Sequence, residues 1–286
     1  MKSEKYAQLH LGAHMSIAGS IDQAIDRALS IGCTALQIFT ASNRSWSLKD
    51  LSSQEIELFK AKQKQHAIPV VSHCSYLINL ASPNKLVQKS SRQTLLHELK
   101  RCHALGIKYA VLHPGSKLTS PEKEALQQVA KYLDEIITEA QADVTILLET
   151  MAGQGNTLGN TFEQLAYLRD AIHHKKFIGI CADTCHLFAS GYKFSTPHEY
   201  KELWQNFDAI LGLERLKVIH INDSKKECGA RADRHDHIGQ GKIGLEAFSM
   251  LMNDPNFATT IKIIETPKTS LEEDFVNLKK LKDLIK

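Results

Sequence analysis

Long hydrophobic runs, paired cysteines and a strong charge of either sign are all missing from this sequence. No apolar run approaches the ~18 residues that a membrane-spanning helix requires, so a membrane protein is not expected. None of the six cysteines forms a Cys-x-x-Cys pair, and a chain of 286 residues needs no disulfide framework. The first ten residues, MKSEKYAQLH, lack the hydrophobic core of a secretory signal. We therefore expect a cytoplasmic protein with reduced, buried thiols.

The charge balance is only weakly basic. The formal net charge is +3 and the isoelectric point is near 8.4, which permits a polyanionic partner but does not require one. What the sequence does hold in unusual number is histidine, with 14 residues. So many imidazoles raise the hypothesis of a metal site, which only their positions can support.

Short apolar runs alternate with amphipathic segments along the whole chain. The runs are rich in valine and isoleucine, as strands of a buried parallel sheet should be. They lie at 9–13, 35–39, 69–72, 109–112, 144–148, 178–182, 217–221 and 261–264. The segments 20–32, 122–140 and 269–285 between and after them have the apolar spacing of helices. This alternation predicts a single-domain (β/α)8 TIM barrel over 1–286, with the active site at the C-terminal face of the strands.

The alternative architecture is an open, doubly wound parallel sheet. Such sheets often carry a glycine-rich phosphate loop, but neither G-x-G-x-x-G nor G-x-x-x-x-G-K-[ST] is present. No linker or shift in composition divides the chain. The barrel is therefore the favoured prediction.

Ionisable side chains stand at the ends of the last six predicted strands. In chain order they are His73, His113, Glu149, Asp183, His220 and Glu265. In a barrel these strand ends meet at one face. Any one of these residues alone is more readily explained as a hydrogen-bonded structural residue. Six together would repel or desolvate one another unless a cation united them.

Two loops after the strands add further candidates. DTCH places His186 three residues after Asp183, and RADRHDH places His235 two residues after Asp233. Histidine and carboxylate ligands without cysteine suit Zn²⁺ or Mn²⁺ in catalytic use, and we interpret the neighbouring cysteines as packing residues. Since a catalytic zinc takes about three protein ligands, nine candidates indicate about three ions, with Glu149 able to bridge two of them.

Longer motifs give the chain a family resemblance. They are GAHMS (12–16), IFTASNRSW (38–46), SYLINLAS (75–82), VLHPGS (111–116), ILLETMAGQGNTLG (146–159), ADTCHLFASGY (182–192), HINDSK (220–225), RADRHDHIGQGKIG (231–244) and IIETP (263–267). In these motifs the chain resembles the endonuclease IV family of zinc-dependent apurinic/apyrimidinic endonucleases. The resemblance covers nearly the full length.

The resemblance implies a DNA-repair enzyme with three Zn²⁺ ions, with Mn²⁺ an alternative at one site. Such an enzyme hydrolyses the phosphodiester 5′ to an abasic site in double-stranded DNA, leaves a 3′-hydroxyl and also trims blocked 3′ ends. By motif, the ligand sets are His73, His113 and Glu149; Glu149, Asp183, His220 and Glu265; and His186, Asp233 and His235. Lys193, Ala230 and Cys74 depart from the family pattern, which puts hydrogen bonds around the metals in doubt but removes no ligand.

The resemblance also implies a mechanism and a set of DNA contacts. Zinc lowers the pKa of bound water to ~7, so we expect metal-bound hydroxide to be the nucleophile and Glu149 to be the catalytic carboxylate. Arg44 and Tyr76 are the favoured DNA contacts. Candidates for phosphate contacts beside the metal loops, or for a merely solvated rim, are Lys225, Lys226, Arg231 and Arg234.

Two other functions share part of this pattern. A sugar-phosphate isomerase or epimerase on the same barrel would use one ion bound by Glu149, Asp183, His220 and Glu265, but it has no use for the other five candidates. A non-catalytic DNA-binding or zinc-storage protein would not need its ligands at a barrel mouth. Nothing demands more than a monomer.

Sequence spacing does not decide which of two histidines, His235 or His237, is the metal ligand. His235 and His237 both lie two-residue steps from Asp233, so an extended segment would put both on its side. Only the resemblance selects His235 as the ligand. His14, at the end of the first predicted strand, is expected to line the pocket floor through hydrogen bonds.

Overall fold

Eight parallel strands close into a barrel in the computed structural model, which describes residues 9–47 and 49–286. The barrel strands are β1 Leu11–Met15, β2 Ala35–Ile38, β3 Val70–His73, β4 Tyr109–Leu112, β5 Thr145–Glu149, β6 Ile178–Asp183, β7 Leu216–His220 and β10 Ile261–Ile264. Consecutive barrel strands are neighbours, and β10 pairs with β1 to close the ring. A short antiparallel ribbon, β8 Asp223–Ser224 with β9 His235–Asp236, follows β7. The TIM-barrel prediction is confirmed.

Helices follow the strands and cover the outside of the barrel. Within the described residues they are Gln23–Ser30, Ser53–His66, Lys85–Leu105, Glu122–Ala140, Phe162–Ala171, Thr184–Ser190, Pro197–Leu211, Leu245–Asn253 and Leu271–Asp283. The helix predicted at 122–140 has those bounds. The one predicted at 20–32 is shorter, because it begins only at Gln23 and its C-terminal end is turned by Gly32 at a φ of 74°. The helix predicted at 269–285 also begins later, at Leu271, where Glu273 of the first turn accepts from the backbone N–H of the N-cap residue Ser270 at 3.0 Å.

The interior of the barrel is a packed apolar core. The residues that fill it are Ala35, Val71, Val111, Leu147, Cys181, Val218, Ile261 and Ile263. Close approach of strands requires glycine at one point, since a Cβ on Gly12 would lie 1.7 Å from the carbonyl oxygen of Ala35. With apolar residues filling the barrel, the strand ends are left for polar side chains.

The strand bounds correct the sequence prediction in one respect. His73, Glu149 and Asp183 are the last residues of their strands rather than the residues that follow them. His113 and Glu265 do follow theirs. The backbone of these three predicted ligands is therefore part of the hydrogen-bonded barrel.

The structure also bears on the expectations for membrane helices, cysteines and domain organisation. No helix within the described part of the chain is long and apolar enough to span a membrane. Five of the six cysteines are buried and Cys228 is half-buried, so the expectation of buried thiols is wrong for that one residue. The expected absence of a signal segment falls mainly on residues 1–8, outside the described residues. A single catalytic domain over 1–286 stays a prediction.

Candidate metal centre

The predicted ligands meet at the C-terminal mouth of the barrel. Two of the ligand sets come together as the motifs imply: one ligand atom from each member lies within 4.8 Å of those of the others. These two sets are His73, His113 and Glu149, and Glu149, Asp183, His220 and Glu265. Most of these side chains are fully buried, so the mouth concentrates charge in a poorly solvated space.

Glu149 stands between the two sets, and none of its surface is exposed. Its Oε2 atom lies 3.3 Å from His73 Nε2 and 3.0 Å from His113 Nε2. Its Oε1 atom lies 3.0 Å from His220 Nδ1 and 3.4 Å from His186 Nδ1. One carboxylate thus turns its two oxygens to two different groups of imidazoles, as a bridging ligand would.

The third set combines His186, from the short helix after β6, with Asp233 and His235, which follow β8. His186 lies in the short helix after β6, whose N-terminus is capped by Asp183: the backbone N–H of His186 donates to Asp183 Oδ1 at 2.8 Å. Its Nε2 lies 3.2 Å from Asp233 Oδ2, and His235 Nε2 lies 3.3 Å from Asp233 Oδ1. The ribbon of β8 and β9 holds His235 in place, because Asp223 and Ser224 pair with Asp236 and His235.

His237 is directed to a different partner. Its Nδ1 lies 3.0 Å from the side-chain Nδ2 of Asn277, in the helix Leu271–Asp283. Asn277 also donates to Thr266 Oγ1 at 3.1 Å. The geometry therefore favours His235 over His237 as a ligand, although the assignment stays a prediction.

Unpaired polar atoms test whether these residues fit a cation. Among the described residues, seven buried side-chain nitrogen or oxygen atoms have no hydrogen-bond partner. Four of them are His73 Nε2, Glu149 Oε2, His186 Nε2 and His235 Nε2. Buried polar atoms are rarely left unpaired in folded proteins. Their concentration in one cluster of imidazoles and carboxylates fits bound metal ions.

Backbone carbonyls orient three of the imidazoles. The Nδ1 of His73 lies 2.7 Å from the carbonyl oxygen of Cys74, that of His186 lies 2.9 Å from Thr150, and that of His235 lies 3.1 Å from Glu265. A carbonyl only accepts, so each Nδ1 carries a proton, and in the neutral imidazole each Nε2 keeps the lone pair that can bind a metal. Since Cys74 acts through its backbone, its departure from the family pattern leaves this hydrogen bond intact.

The clustered side chains also shift one another's pKa values. Burial raises the pKa of Glu149, but His113 and His220 together lower it well below its ordinary value. Burial lowers the pKa of His186, but Asp183, Asp233 and Glu149 raise it well above its ordinary value. The mouth therefore attracts positive charge, whether as protons on imidazole or as metal ions.

Two cysteines lie within reach of the ligands. Cys181 groups with Glu149 and His220, and Cys185 groups with Asp233 and His235. Burial raises the pKa of each thiol to about 12. Since a thiol binds zinc as its thiolate, this favours their interpretation as packing residues.

The predicted DNA contacts surround the mouth. Tyr76 is 54% exposed, and the centre of its ring lies 5.1 Å from that of His73 and 5.4 Å from that of His113. Arg44 lies in the loop after β2, which Ser75 ties to the Tyr76 loop by donating to Asn43 at 3.2 Å. The four basic residues predicted beside the metal loops are all exposed: Lys225, Lys226, Arg231 and Arg234.

Sequence reasoning missed two polar residues that hold the ligands. Asn222 donates to Asp183 Oδ2 at 2.7 Å and accepts from the Glu265 backbone N–H at 2.7 Å. Gln37 contacts His14, His220 and Glu265. The glutamine inside the apolar run ALQIF is a sequence signal for Gln37. Asn222 lies inside the motif HINDSK, but the motif does not indicate its contacts. The contact of His14 with Gln37, at 3.0 Å, agrees with its expected place in the pocket.

Comparison with known proteins identifies this class of barrel. Residues 25–284 match the family described as xylose isomerase-like TIM barrels. A Chloroflexus aggregans protein named "Probable endonuclease 4" is 45% identical over 278 residues, which span 96% of this chain and 97% of the relative. The crystal structure of endonuclease IV from Thermus thermophilus superposes with a TM-score of 0.86 at 34% identity, covering 96% of this chain and 98% of that one. The chain belongs to the endonuclease IV family of nucleases, which confirms the resemblance in the motifs.

A second kind of barrel has a similar fold. A D-tagatose 3-epimerase-like protein superposes with a TM-score of 0.74 at 21% identity, covering 96% of this chain and 97% of that chain. At such low identity the likeness shows the fold alone.

Proposed function

We propose that this protein hydrolyses the phosphodiester 5′ to an abasic site in duplex DNA, leaving a 3′-hydroxyl, with three Zn²⁺ ions held by the nine predicted ligands. The observation that carries the proposal is the position of Glu149, whose two oxygens face separate groups of imidazoles. Asp233 joins a third group in the same way, between His186 and His235. Three adjoining groups exceed what a single ion can use.

Bound zinc would supply a water of lowered pKa and positive charge for the phosphate and the leaving 3′-oxygen. The protein's part is to hold the ligands in fixed directions, which the strand ends and the carbonyl contacts of the imidazoles accomplish. Glu149 stays ionised because imidazoles on both sides lower its pKa. Its ionised carboxylate can therefore hold the ligand groups on both sides and orient the reacting groups between them.

Substrate selection follows from the rim of the mouth. An abasic nucleotide has no base to unstack, so turning it out of the helix costs little free energy. Tyr76 is exposed beside His73 and His113, where it can contact the DNA around the missing base. Arg44, Lys225, Arg231 and Arg234 would neutralise phosphates on either side. A blocked 3′ end offers the same phosphodiester chemistry, and we propose its trimming as a second activity.

The experiment that tests this function is incision of a duplex with a single tetrahydrofuran residue, a stable abasic analogue. A lyase cannot cut that analogue, so a nick on its 5′ side means hydrolysis. We expect cleavage by the zinc-loaded protein, loss of cleavage with EDTA, and recovery when zinc is restored. Extension of the nicked strand by a polymerase would demonstrate the 3′-hydroxyl, and an undamaged duplex is the control. An intact tetrahydrofuran duplex after incubation with zinc-replete protein would overturn the proposal.

An epimerase is the second candidate, since Glu149, Asp183, His220 and Glu265 alone form a four-ligand group suited to one divalent ion. Metal content separates the two functions. About three zinc ions per chain support the endonuclease, whereas one ion supports the epimerase. We also propose that the protein acts as a monomer, which its sedimentation with and without abasic DNA would test. Its proposed place of action is the chromosome, within the cytoplasm.

A further inference from the structure

Gln37 is a fully buried polar residue in an otherwise apolar strand. It lies in β2, whose sequence is ALQI, and none of its surface is exposed. Burying an amide costs free energy unless its polar atoms find hydrogen-bond partners. Gln37 finds them at the barrel mouth, in His14, His220 and Glu265. The presence of glutamine in this strand is thus explained by the metal centre rather than by the core.

These contacts decide which way the amide points. Gln37 Nε2 lies 2.6 Å from Glu265 Oε1 and 3.0 Å from His14 Nδ1. A carboxylate oxygen only accepts hydrogen bonds, so the atom that faces it must be the amide nitrogen. The amide oxygen of Gln37 is left facing His220 Nε2, at 2.8 Å.

The orientation of the amide in turn decides the tautomer of His220. An amide oxygen only accepts, so His220 must carry a proton on Nε2. Its Nδ1 faces the opposite way, 3.0 Å from Glu149 Oε1, 3.2 Å from Glu265 Oε2 and 3.9 Å from Asp183 Oδ2. These are the three carboxylates of its proposed ligand set, so Nδ1 is the atom that can join them on an ion.

His220 therefore directs the opposite ring nitrogen into the metal centre from the three imidazoles that bond to backbone carbonyls. His73, His186 and His235 direct Nε2 into the centre and hold Nδ1–H on a backbone oxygen. A backbone carbonyl is present whatever the side chain is. The orientation of His220 alone in this group of four depends on the identity of a side chain, that of Gln37.

We propose that Gln37 is a positioning residue that selects Nδ1 of His220 as the ligand atom and, through the same amide, holds Glu265 beside it. The inference rests on the ligand set proposed above for these residues. Because loss of an outer partner of a metal ligand weakens metal binding by about 10- to 100-fold, removal of the amide should weaken one ion by that factor.

Two substitutions distinguish the two contacts of the Gln37 amide, its oxygen with His220 and its nitrogen with Glu265. Gln37→Met keeps the length and apolar volume of the side chain but has neither acceptor nor donor. Gln37→Glu keeps an acceptor for His220 and loses the donor to Glu265. The matched control is Gln88→Met, since Gln88 is also buried and hydrogen-bonded, to Ser82 and Gln128 on the outside of the barrel. Each variant of the full chain would be loaded with zinc and titrated with a competing chelator. Long-range ¹H–¹⁵N spectra of its histidines would report the tautomers.

We expect the wild type to show one imidazole that is protonated at Nε2 and ligated through Nδ1. Gln37→Met should lose that signal and bind one zinc about 10- to 100-fold more weakly. Gln37→Glu should keep the signal, and Gln88→Met should keep both the signal and the affinity. Wild-type affinity and signal in Gln37→Met would overturn the inference, and so would an equal loss in Gln88→Met. If Glu265→Gln bound as much zinc as the wild type, the ligand set itself would be wrong, which is a different failure.

Discussion

The Nε2 atom of His186 lies 3.2 Å from the Oδ2 atom of Asp233, although His186 belongs to the short helix after β6 and Asp233 to the loop between β8 and β9. The other oxygen of Asp233 lies 3.3 Å from His235 Nε2, so one carboxylate joins two imidazoles. Burial raises the pKa of Asp233, but His186 and His235 lower it to about 2. Asp233 is therefore ionised at neutral pH, as a metal ligand must be.

The first prediction separates His235 from its neighbour His237. His235→Ala removes an imidazole whose Nε2 has no hydrogen-bond partner and lies beside Asp233, so the protein should lose one zinc ion per chain. His237→Ala removes a partner of Asn277 and should keep all three ions. Zinc content by mass spectrometry of the dialysed proteins measures both. Equal zinc content in the two variants would contradict the assignment.

The second prediction concerns Glu149. Glu149→Gln preserves the shape of the side chain but replaces one oxygen by an NH₂ group, which cannot coordinate a metal. Because the two oxygens face two ligand groups, the variant should bind both of the adjoining ions more weakly. Cleavage of the tetrahydrofuran duplex should fall by more than the ~100-fold that loss of an outer-shell partner costs. Rates measured at saturating zinc, together with zinc titrations, would show whether only one ion is affected, which would argue against bridging.

Much of this architecture could be predicted because its causes are local. Buried parallel strands are continuously apolar, so Tyr109–Leu112 and Ile261–Ile264 lie where the pattern put them. The ionisable residues at the strand ends follow from the barrel itself, since all of its strands end at one face. His113 and Glu265 needed no knowledge of distant contacts to be proposed as ligands.

The hydrogen bonds that orient the predicted ligands and their neighbours could not be predicted. They join residues that are far apart in the chain, and the spacing of apolar residues does not indicate which distant segments meet. Gln37 and His220 are 183 residues apart, and His237 and Asn277 are 40 apart. Spacing left His235 and His237 equivalent because both share one side of an extended segment. Only the fold shows that Asn277, on the last helix, binds His237.

The third prediction concerns Asp223, which holds the loop after the ribbon. Asp223 Oδ2 accepts from the N–H groups of Gly239 and Gly241 at 2.9 and 3.0 Å, and Oδ1 accepts from Ile243 at 3.0 Å. The loop lies so close that a Cβ on Gly241 would be 2.5 Å from Asp223 Oδ1. Asp223→Asn would set an NH₂ group against backbone donors and should lower the free energy of unfolding by about 1–3 kcal/mol. Urea denaturation measures this.

The same substitution should also act on the metal centre. β8, which contains Asp223, pairs with the strand that contains His235, so a displaced ribbon should weaken the third ion. Asp236→Asn is the comparison, because Asp236 is only half-buried and accepts from the neighbouring His237 N–H. Wild-type stability and zinc affinity in Asp223→Asn would show that the loop does not depend on this carboxylate.

The fourth prediction concerns the basic rim. Lys225 is exposed and directly follows β8 at the barrel mouth, whereas Lys108 is exposed at the opposite face, just before β4. If Lys225 contacts a phosphate, Lys225→Ala should weaken DNA binding and reduce the slope of log affinity against log salt by about 1. Lys108→Ala should leave the slope unchanged. Fluorescence anisotropy with a tetrahydrofuran duplex, in a Glu149→Gln background that prevents incision, measures both, and equal slopes would place Lys225 in a solvated rim.

The fifth prediction is a pH dependence of stability away from the mouth. Asp134, on the helix Glu122–Ala140, accepts from the backbone N–H of His173 at 2.9 Å and from that of His174 at 3.2 Å. Its carboxylate also lies 2.7 Å from His173 Nδ1 and 3.1 Å from His174 Nδ1. Burial raises the pKa of Asp134, but these donors lower it from 3.8 to about 2. The folded state thus holds this carboxylate in its ionised form more strongly than the unfolded chain does.

The sign of the effect follows from that lowered pKa. The stabilisation is fully present above the unfolded value of 3.8 and is lost as the pH falls through about 2. Asp134→Asn keeps the shape and one acceptor but not the charge. It should therefore be less stable than the wild type by about 1 kcal/mol at neutral pH, since the site is partly screened by solvent. Urea unfolding of both proteins at neutral pH and at roughly pH 3 should show the difference shrinking, because at the lower pH Asp134 is mostly protonated in the unfolded chain but still ionised in the folded protein. A difference that is independent of pH would assign the loss to packing instead.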